Sequence, residues 1–119
     1  MSLLVLDTSA IVAYAEGSIH VGEPISEVRD EGGLVVVPVV CLVEAARKVG
    51  DEMLRVLVDG SDVAPLVWER WAAVASGVRV LERLDLAVAL LEASTRRGFV
   101  LTGEPDAYGD PGADFVIPI

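Results

Sequence analysis

The sequence predicts an α/β fold built on a mostly parallel sheet. Three observations carry that expectation. The runs LLVL at 3–6 and LVVV at 34–37 are apolar without alternation, as strands covered on both faces are. Helix-like segments stopped by glycine lie between such runs. The alternation continues to FVLT at 99–102 and FVIPI at 115–119, so successive strands need helical crossovers and pair in parallel. The length of 119 residues fits a single domain spanning 1–119. Hydrophobic residues make up 53% of the chain but aromatics only 5%, so the core must be built from Val, Leu and Ala.

The elements follow in order. LLVL is the first buried strand. Asp7, Thr8 and Ser9 then offer capping side chains to a short helix, Ala10 to Glu16, which Gly17 ends. A second helix is expected over about 23–31, stopped by Gly32-Gly33. LVVV is the second strand, its β-branched content arguing against helix. Pro38 suits the first turn of the helix that follows, to about Val49. DEMLRVLVDG at 51–60 is helical, with Asp51 as its cap. Val63 to Leu66 forms a short strand and 68–76 a helix; VRVLERL at 78–84 fits neither pattern clearly. The stretch from Leu86 to Arg97 is helical, opened by Asp85 and followed by Gly98.

Composition excludes several functions. A net charge of −10 argues against nucleic-acid binding through bulk electrostatics, which needs basic surface to release counterions. It leaves a nuclease open, because a metal site is made of carboxylates. Cys41 is the only cysteine, so no intramolecular disulfide forms, in mild favour of a cytoplasmic location. In the run VVCLV it reads as a small buried hydrophobe. The first residues, MSLLVLD, lack the basic and long apolar regions of a signal peptide. The longest apolar run, 34–43, is half of the roughly 20 residues a membrane helix needs, so no membrane is expected. No GxxxxGK[ST] or GxGxxG motif occurs. Position 9 is Ser, where a haloacid-dehalogenase-like phosphatase needs a second Asp. His20 is the sole histidine and reads as a surface-loop residue, not a zinc ligand. Trp68 and Trp71 read as core or dimer-interface anchors, because a base-stacking platform would sit among basic residues.

Four acids carry the functional reading. In an open parallel sheet, function collects outside the carboxyl ends of the strands. Asp7 ends the first strand and Glu104 follows FVLT. Asp85 opens the helix leading to FVLT, and Glu44 interrupts the apolar helix VVCLVEAARK. Carboxylates gathered at one edge repel, and hard oxygen donors select Mg²⁺ or Mn²⁺. Such an ion can orient a phosphodiester and activate water against it. Each acid also has a plain structural role open to it. Asp7 and Asp85 can cap helices, Glu44 can pair with Lys48 at i,i+4, and Glu104 can be a loop acid. Without a metal, such a cluster should raise at least one carboxyl pKa, so that stability falls as pH rises.

These residues resemble the PIN-domain ribonucleases, and within them the VapC-like toxins of bacterial toxin–antitoxin pairs. Four blocks carry the resemblance: LLVLDTSAIVAY, VVVPVVCLVEAARK, LDLAVALLEASTRRG and FVLTGEPDAYGD, in order from residue 3 to the C-terminus. The first is the most specific. The resemblance implies a PIN-like three-layer α/β/α sandwich, Mg²⁺- or Mn²⁺-dependent cleavage of RNA, an antitoxin partner and a homodimer. By position, Asp7, Glu44 and Asp85 match the metal-binding acids, Thr8 or Ser9 the supporting hydroxyl, and Thr102 the threonine of the last block. The fourth acid of the family is typically Asp, whereas here it is Glu104, with Asp106 nearby. That departure and the −10 charge favour the alternative, a catalytically weakened PIN-like module acting through protein association. A receiver-like signalling domain ranks last, because it needs a late lysine and the only one is Lys48. Arg96-Arg97 and Arg47-Lys48 are the densest basic pairs and the candidates for guiding a phosphate backbone.

Overall fold

The apolar run LLVL lies at the centre of a five-stranded sheet. The computed structural model describes residues 2–119. The strands are β1 (Leu3–Leu6), β2 (Leu34–Pro38), β3 (Asp62–Ala64), β4 (Phe99–Thr102) and β5 (Val116–Pro118), in the order β3-β2-β1-β4-β5. Every pairing is parallel, which sharpens the expectation of a mostly parallel sheet. The helices are α1 (Thr8–Ala15), α2 (Ile19–Asp30), α3 (Val39–Ala46), α4 (Asp51–Val58), α5 (Trp71–Leu81), α6 (Leu84–Arg96) and the single turn α7 (Gly109–Gly112). The steps from β1 through β2 to β3 run one way across the sheet, and the return to β4 runs the other. Right-handed crossovers therefore place helices on both faces and make a three-layer α/β/α sandwich. The strand order reverses between β1 and β4, so a crevice is expected at the carboxyl ends of those two strands.

Val5, Leu6, Val35, Val36, Val37, Val100 and Leu101 are buried in the sheet. Ile11, Val21, Ile25, Leu57, Leu86 and Ala89 cover it from the helices. The largest buried side chain is Tyr108, from the 3-10 turn Pro105–Tyr108 that follows β4. Two glycines let β2 and β4 approach the start of β1. A Cβ on Gly33 would lie 2.3 Å from the Ser2 carbonyl oxygen, and one on Gly98 would lie 2.6 Å from the Leu3 carbonyl oxygen. Arg97, not Gly98, takes the left-handed conformation that ends α6 (φ 58°), so Gly98 is required for space rather than for its dihedrals.

Several boundaries differ from the sequence reading. α2 begins at Ile19 and runs through Pro24, because Val21, Ile25 and Val28 form one buried stripe that spans it. His20 is therefore an exposed helix residue, not a loop residue. Pro38 closes β2 instead of opening α3, and Gly50 precedes α4 with Asp51 in its first turn. The ambiguous stretch 78–81 belongs to α5. α6 starts at Leu84, which puts Asp85 inside its first turn. No helix among the described residues is long and apolar enough to cross a membrane.

Candidate functional site

Asp7 is where β1 leaves the sheet. Its N–H still donates to the Leu101 carbonyl at 3.5 Å, so the turn into α1 is anchored on β4. Its carboxylate is fully buried. Oδ1 accepts the Ala10 N–H at 3.0 Å and the Ser9 hydroxyl at 2.7 Å. That is the N-cap of α1, as the residue type allows. Oδ2 turns the other way and accepts the Tyr108 hydroxyl at 2.7 Å, across 101 residues of chain. Burial and the Asp7 charge push the Tyr108 phenol well above its ordinary value, so it stays a donor.

Ser9 and Thr102 join the ends of β1 and β4. The Ser9 hydroxyl accepts the Gly103 N–H at 2.8 Å and lies 3.3 Å from Thr102 Oγ1. Because the Ser9 proton is given to Asp7, the Thr102 hydroxyl is the donor of that pair. Thr102 Oγ1 in turn accepts the Glu104 N–H at 2.9 Å. Thr8, at the start of α1, donates from Oγ1 to Asp85 Oδ2 at 2.7 Å and ties α1 to the first turn of α6.

Asp85 meets a cation of its own chain. Arg83 donates from Nε to Asp85 Oδ1 at 3.2 Å and from Nη2 to Oδ2 at 3.0 Å. Its third nitrogen, Nη1, lies 3.2 Å from both carboxylate oxygens of Glu104. Burial opposes ionisation of Asp85, but the hydrogen bonds from Arg83 and Thr8 outweigh it and hold the carboxyl below the usual range. This is the reverse of the upward shift that repulsion among unpaired acids would produce. Cys41 closes the floor, its Sγ donating to the Asp85 carbonyl at 3.4 Å. Burial, then the charges of Asp7 and Asp85, push its thiol up and keep it un-ionised and inert. Thr8, next to the Asp7 cap, and Cys41 both hydrogen-bond Asp85, and Arg83 links Glu104 to that carboxylate.

Glu44 makes no hydrogen bond to this group among the described residues. Its side chain is 38% exposed and its Oε2 pairs with Arg47 at 2.8 Å, three residues on, rather than with Lys48. Asp106 is exposed on the 3-10 turn. Among the described residues no three or more His, Cys, Asp and Glu side chains are grouped so as to hold a metal ion. With the guanidinium of Arg83 between Asp85 and Glu104, and with both Asp7 oxygens accepting hydrogen bonds, the arrangement does not fit a divalent ion.

Two contributors were not legible in the sequence. Tyr108 lay in a turn-rich loop, and Arg83 in the segment without clear periodicity. An Arg two residues before a helix-opening Asp was the available signal, since the short separation lets one fork embrace the carboxylate. Of the two basic pairs, Arg47 and Arg96 are held in ion pairs. Arg96 pairs with Asp62 at 2.7 Å and with the buried Glu92 at 3.6 Å, while Arg97 ends α6.

The fold is a doubly wound α/β sandwich with buried, hydrogen-bonded carboxylates near its switch point. Among solved structures, the chain is similar to one described as a toxin–antitoxin complex from Klebsiella pneumoniae. The TM-score is 0.67 and the identity 15%, over 96% of this chain and 95% of that one. At that identity the likeness establishes the fold. No protein-family model matches the sequence, and no curated protein matches it.

Proposed function

We propose that this chain is the toxin-type member of a toxin–antitoxin pair and that it hydrolyses RNA phosphodiesters at the cleft around Asp7, Asp85 and Glu104. One observation carries the reading: at the β1–β4 switch point Ser9 ties Asp7 to Thr102, and the adjacent Thr8 ties α1 to Asp85, through side-chain hydrogen bonds of 2.7–3.3 Å. Glu104 joins that cluster through Arg83. The likeness to a chain from a toxin–antitoxin complex supports the fold of such a protein, and an antitoxin is the partner it calls for. Mg²⁺ or Mn²⁺ is the cofactor of this reading, and when bound it would neutralise charge at the scissile phosphate. Because the arrangement as folded offers that ion no seat, no step is routed through it. The chain's own residues orient the carboxylates: Tyr108, Ser9 and the α1 N-terminus hold Asp7, and Thr8 holds Asp85. The test is cleavage of a structured RNA panel across a Mg²⁺ and Mn²⁺ titration, with Asp7→Asn as control. Metal-dependent cleavage that the substitution abolishes supports the reading; cleavage unchanged by the substitution removes the cleft from it.

A second reading is a PIN-like module that acts by protein association. The Arg83 bridge favours it, because a cleft whose charge is met internally needs no ion. Exposed apolar residues favour it too. Leu66, Val67, Trp68, Trp71 and Leu84 line one groove beside α5, with Trp68 77% and Trp71 66% exposed. The tryptophans are therefore not core residues, and a second copy of the chain is the occupant proposed for that groove. Co-purification with a neighbouring antitoxin, without RNA cleavage under any metal, would select this reading.

A further inference from the structure

A groove of about 560 Å³ follows α2, and none of the cleft acids lines it. Its apolar lining comes from three helices: Tyr14 of α1, Ile19 and Ile25 of α2, and Met53 of α4. Ile19 is 65% exposed and Met53 41%, although both side chains gain by burial. Gly22 also lines the groove, from the interior of α2. Glycine in a helix interior is destabilising relative to alanine. Gly22 does not have a positive φ, and an added Cβ would meet nothing within 4 Å. Neither its dihedrals nor packing within the chain therefore requires a glycine. What the missing side chain leaves is room in the groove.

The rim decides what fits that apolar surface. Glu23, Glu27 and Asp30 line the groove from α2, spaced four and three residues apart and so on one face. All three are exposed, and none is in an ion pair among the described residues. The helix itself does not call for them. Like charges at these spacings repel. None lies in the first turn, where an acid is favoured, and Asp30 ends the helix, where a cation is favoured. Arg29 also lines the groove, but its Nη2 donates to the Leu57 carbonyl and the Ser61 hydroxyl. A second copy of a chain of charge −10 would be repelled here, as would a nucleic acid. A groove between helices is suited to an amphipathic helix, which anchors through residues at i, i+3, i+4 and i+7. We infer that this groove is a docking site for a cationic amphipathic helix of a partner protein. Its apolar face lies on Tyr14, Ile19 and Met53, and its Lys or Arg side chains meet Glu23, Glu27 and Asp30. The inference does not rest on the nuclease reading and holds whether or not the cleft cuts RNA.

The experiment measures, by fluorescence anisotropy, binding of three labelled peptides of about 18 residues, long enough to span α2. One is an amphipathic helix with Leu on one face and Lys on the other. The second carries Glu in place of Lys, and the third scrambles the Lys peptide and so keeps its charge. The amphipathic Lys peptide should bind the full chain at least about tenfold more tightly than either of the others, the scale of several exposed ion pairs added to apolar contact. Glu23→Gln, Glu27→Gln and Asp30→Asn together should weaken it about tenfold. Removing three exposed charges elsewhere, by Glu69→Gln, Asp110→Asn and Asp114→Asn, should change it by less than about twofold, because distant charge is screened at physiological salt. Ile19→Ala with Met53→Ala should weaken it as the first triple does. Gly22→Gln should raise the melting temperature and still weaken the peptide, a combination that a purely structural glycine does not produce. No binding of the Lys peptide at about 1 mM, equal binding of the scrambled peptide, or equal effects of the two triple variants overturns the inference. Self-association of the unaltered chain that Ile19→Ala with Met53→Ala abolishes, read by sedimentation, assigns the groove to a second copy and overturns it as well. The peptide comparison uses the unaltered chain, so it decides the matter even where a variant does not fold.

Discussion

Asp7 does two jobs with two oxygens, and substitutions separate them. Oδ1 caps α1 through Ala10 and Ser9, while Oδ2 takes the Tyr108 proton. Asn keeps a capping oxygen and presents an amide that the Tyr108 hydroxyl can accept, so Asp7→Asn should fold with a modest loss of stability. Asp7→Ala loses the cap and strands the buried phenol. It should cost roughly 2 kcal/mol or more, the sum of a lost cap and an unpaired buried hydroxyl. Urea denaturation of the two variants checks this; equal midpoints would mean that Asp7 contributes nothing through its hydrogen bonds. Tyr108→Phe removes one hydroxyl from a side chain with no exposed surface. A hydrogen bond to a buried carboxylate is worth about 1.5–3 kcal/mol, so a loss in that range is expected from the same measurement. A loss near zero would show that the contact merely accompanies packing of the ring.

At the scale of the element, α6 sets the pH behaviour. Its first turn holds Asp85, where an acid is favoured by the helix N-terminus, and Arg83 and Thr8 add hydrogen bonds to the ionised form. The folded carboxyl titrates below its unfolded value, which is about 4. Its contribution to stability is thus present above about pH 4 and is lost as pH falls through the folded value. Thermal melts in about 0.5 M NaCl, which screens the diffuse repulsion of the acidic chain, should show a melting temperature that drops below about pH 4. In Arg83→Gln the acid drop should shrink, since the main depressing contact is gone. A melting temperature that rises on acidification would instead point to unpaired, mutually repelling acids. The strand entries give a second test at this scale. Gly98→Ala places a Cβ against the Leu3 carbonyl and side chain, so β4 must shift away from β1. A destabilisation of about 1–3 kcal/mol is expected, as for overpacking in a core. An unchanged urea midpoint would show that the two strands separate freely at that end.

For the whole molecule the question is what covers α5. An apolar groove carrying two exposed tryptophans is unusual on a monomer, and a chain of charge −10 gains little from attracting another like itself except through apolar contact. Sedimentation of the purified chain should show a dimer, and Trp68→Ala with Trp71→Ala should raise its dissociation constant by at least about tenfold, as expected for aromatic anchors. Higher salt should leave the dimer intact or strengthen it, because association relies on apolar surface and opposes like charge. A monomer at all concentrations would assign the groove to a different protein.

The strand runs, the glycine stops and the alternation of types were enough to specify a parallel α/β sheet, because burial on both faces leaves a strand no polar alternation. FVLT was bounded as it stands in the fold; Thr8, Ser9 and Thr102 came from the family resemblance, whereas Asp7 and Asp85 follow from a strand end and a helix start. Those choices are local: a residue's place at the carboxyl end of a strand follows from the few residues around it. What surrounds each acid is not local. Tyr108 reaches Asp7 from 101 positions away, and Glu104 meets Asp85 only through Arg83. Glu44 looked buried because its neighbours are apolar, yet Arg47 one turn along draws it toward solvent. The second helix was expected over about 23–31, yet a buried stripe from Val21 to Val28 starts α2 at Ile19 and carries it through Pro24. Burial, partner and charge balance depend on side chains converging from several elements, and only the tertiary structure brings a guanidinium to the place where carboxylates alone would call for an ion.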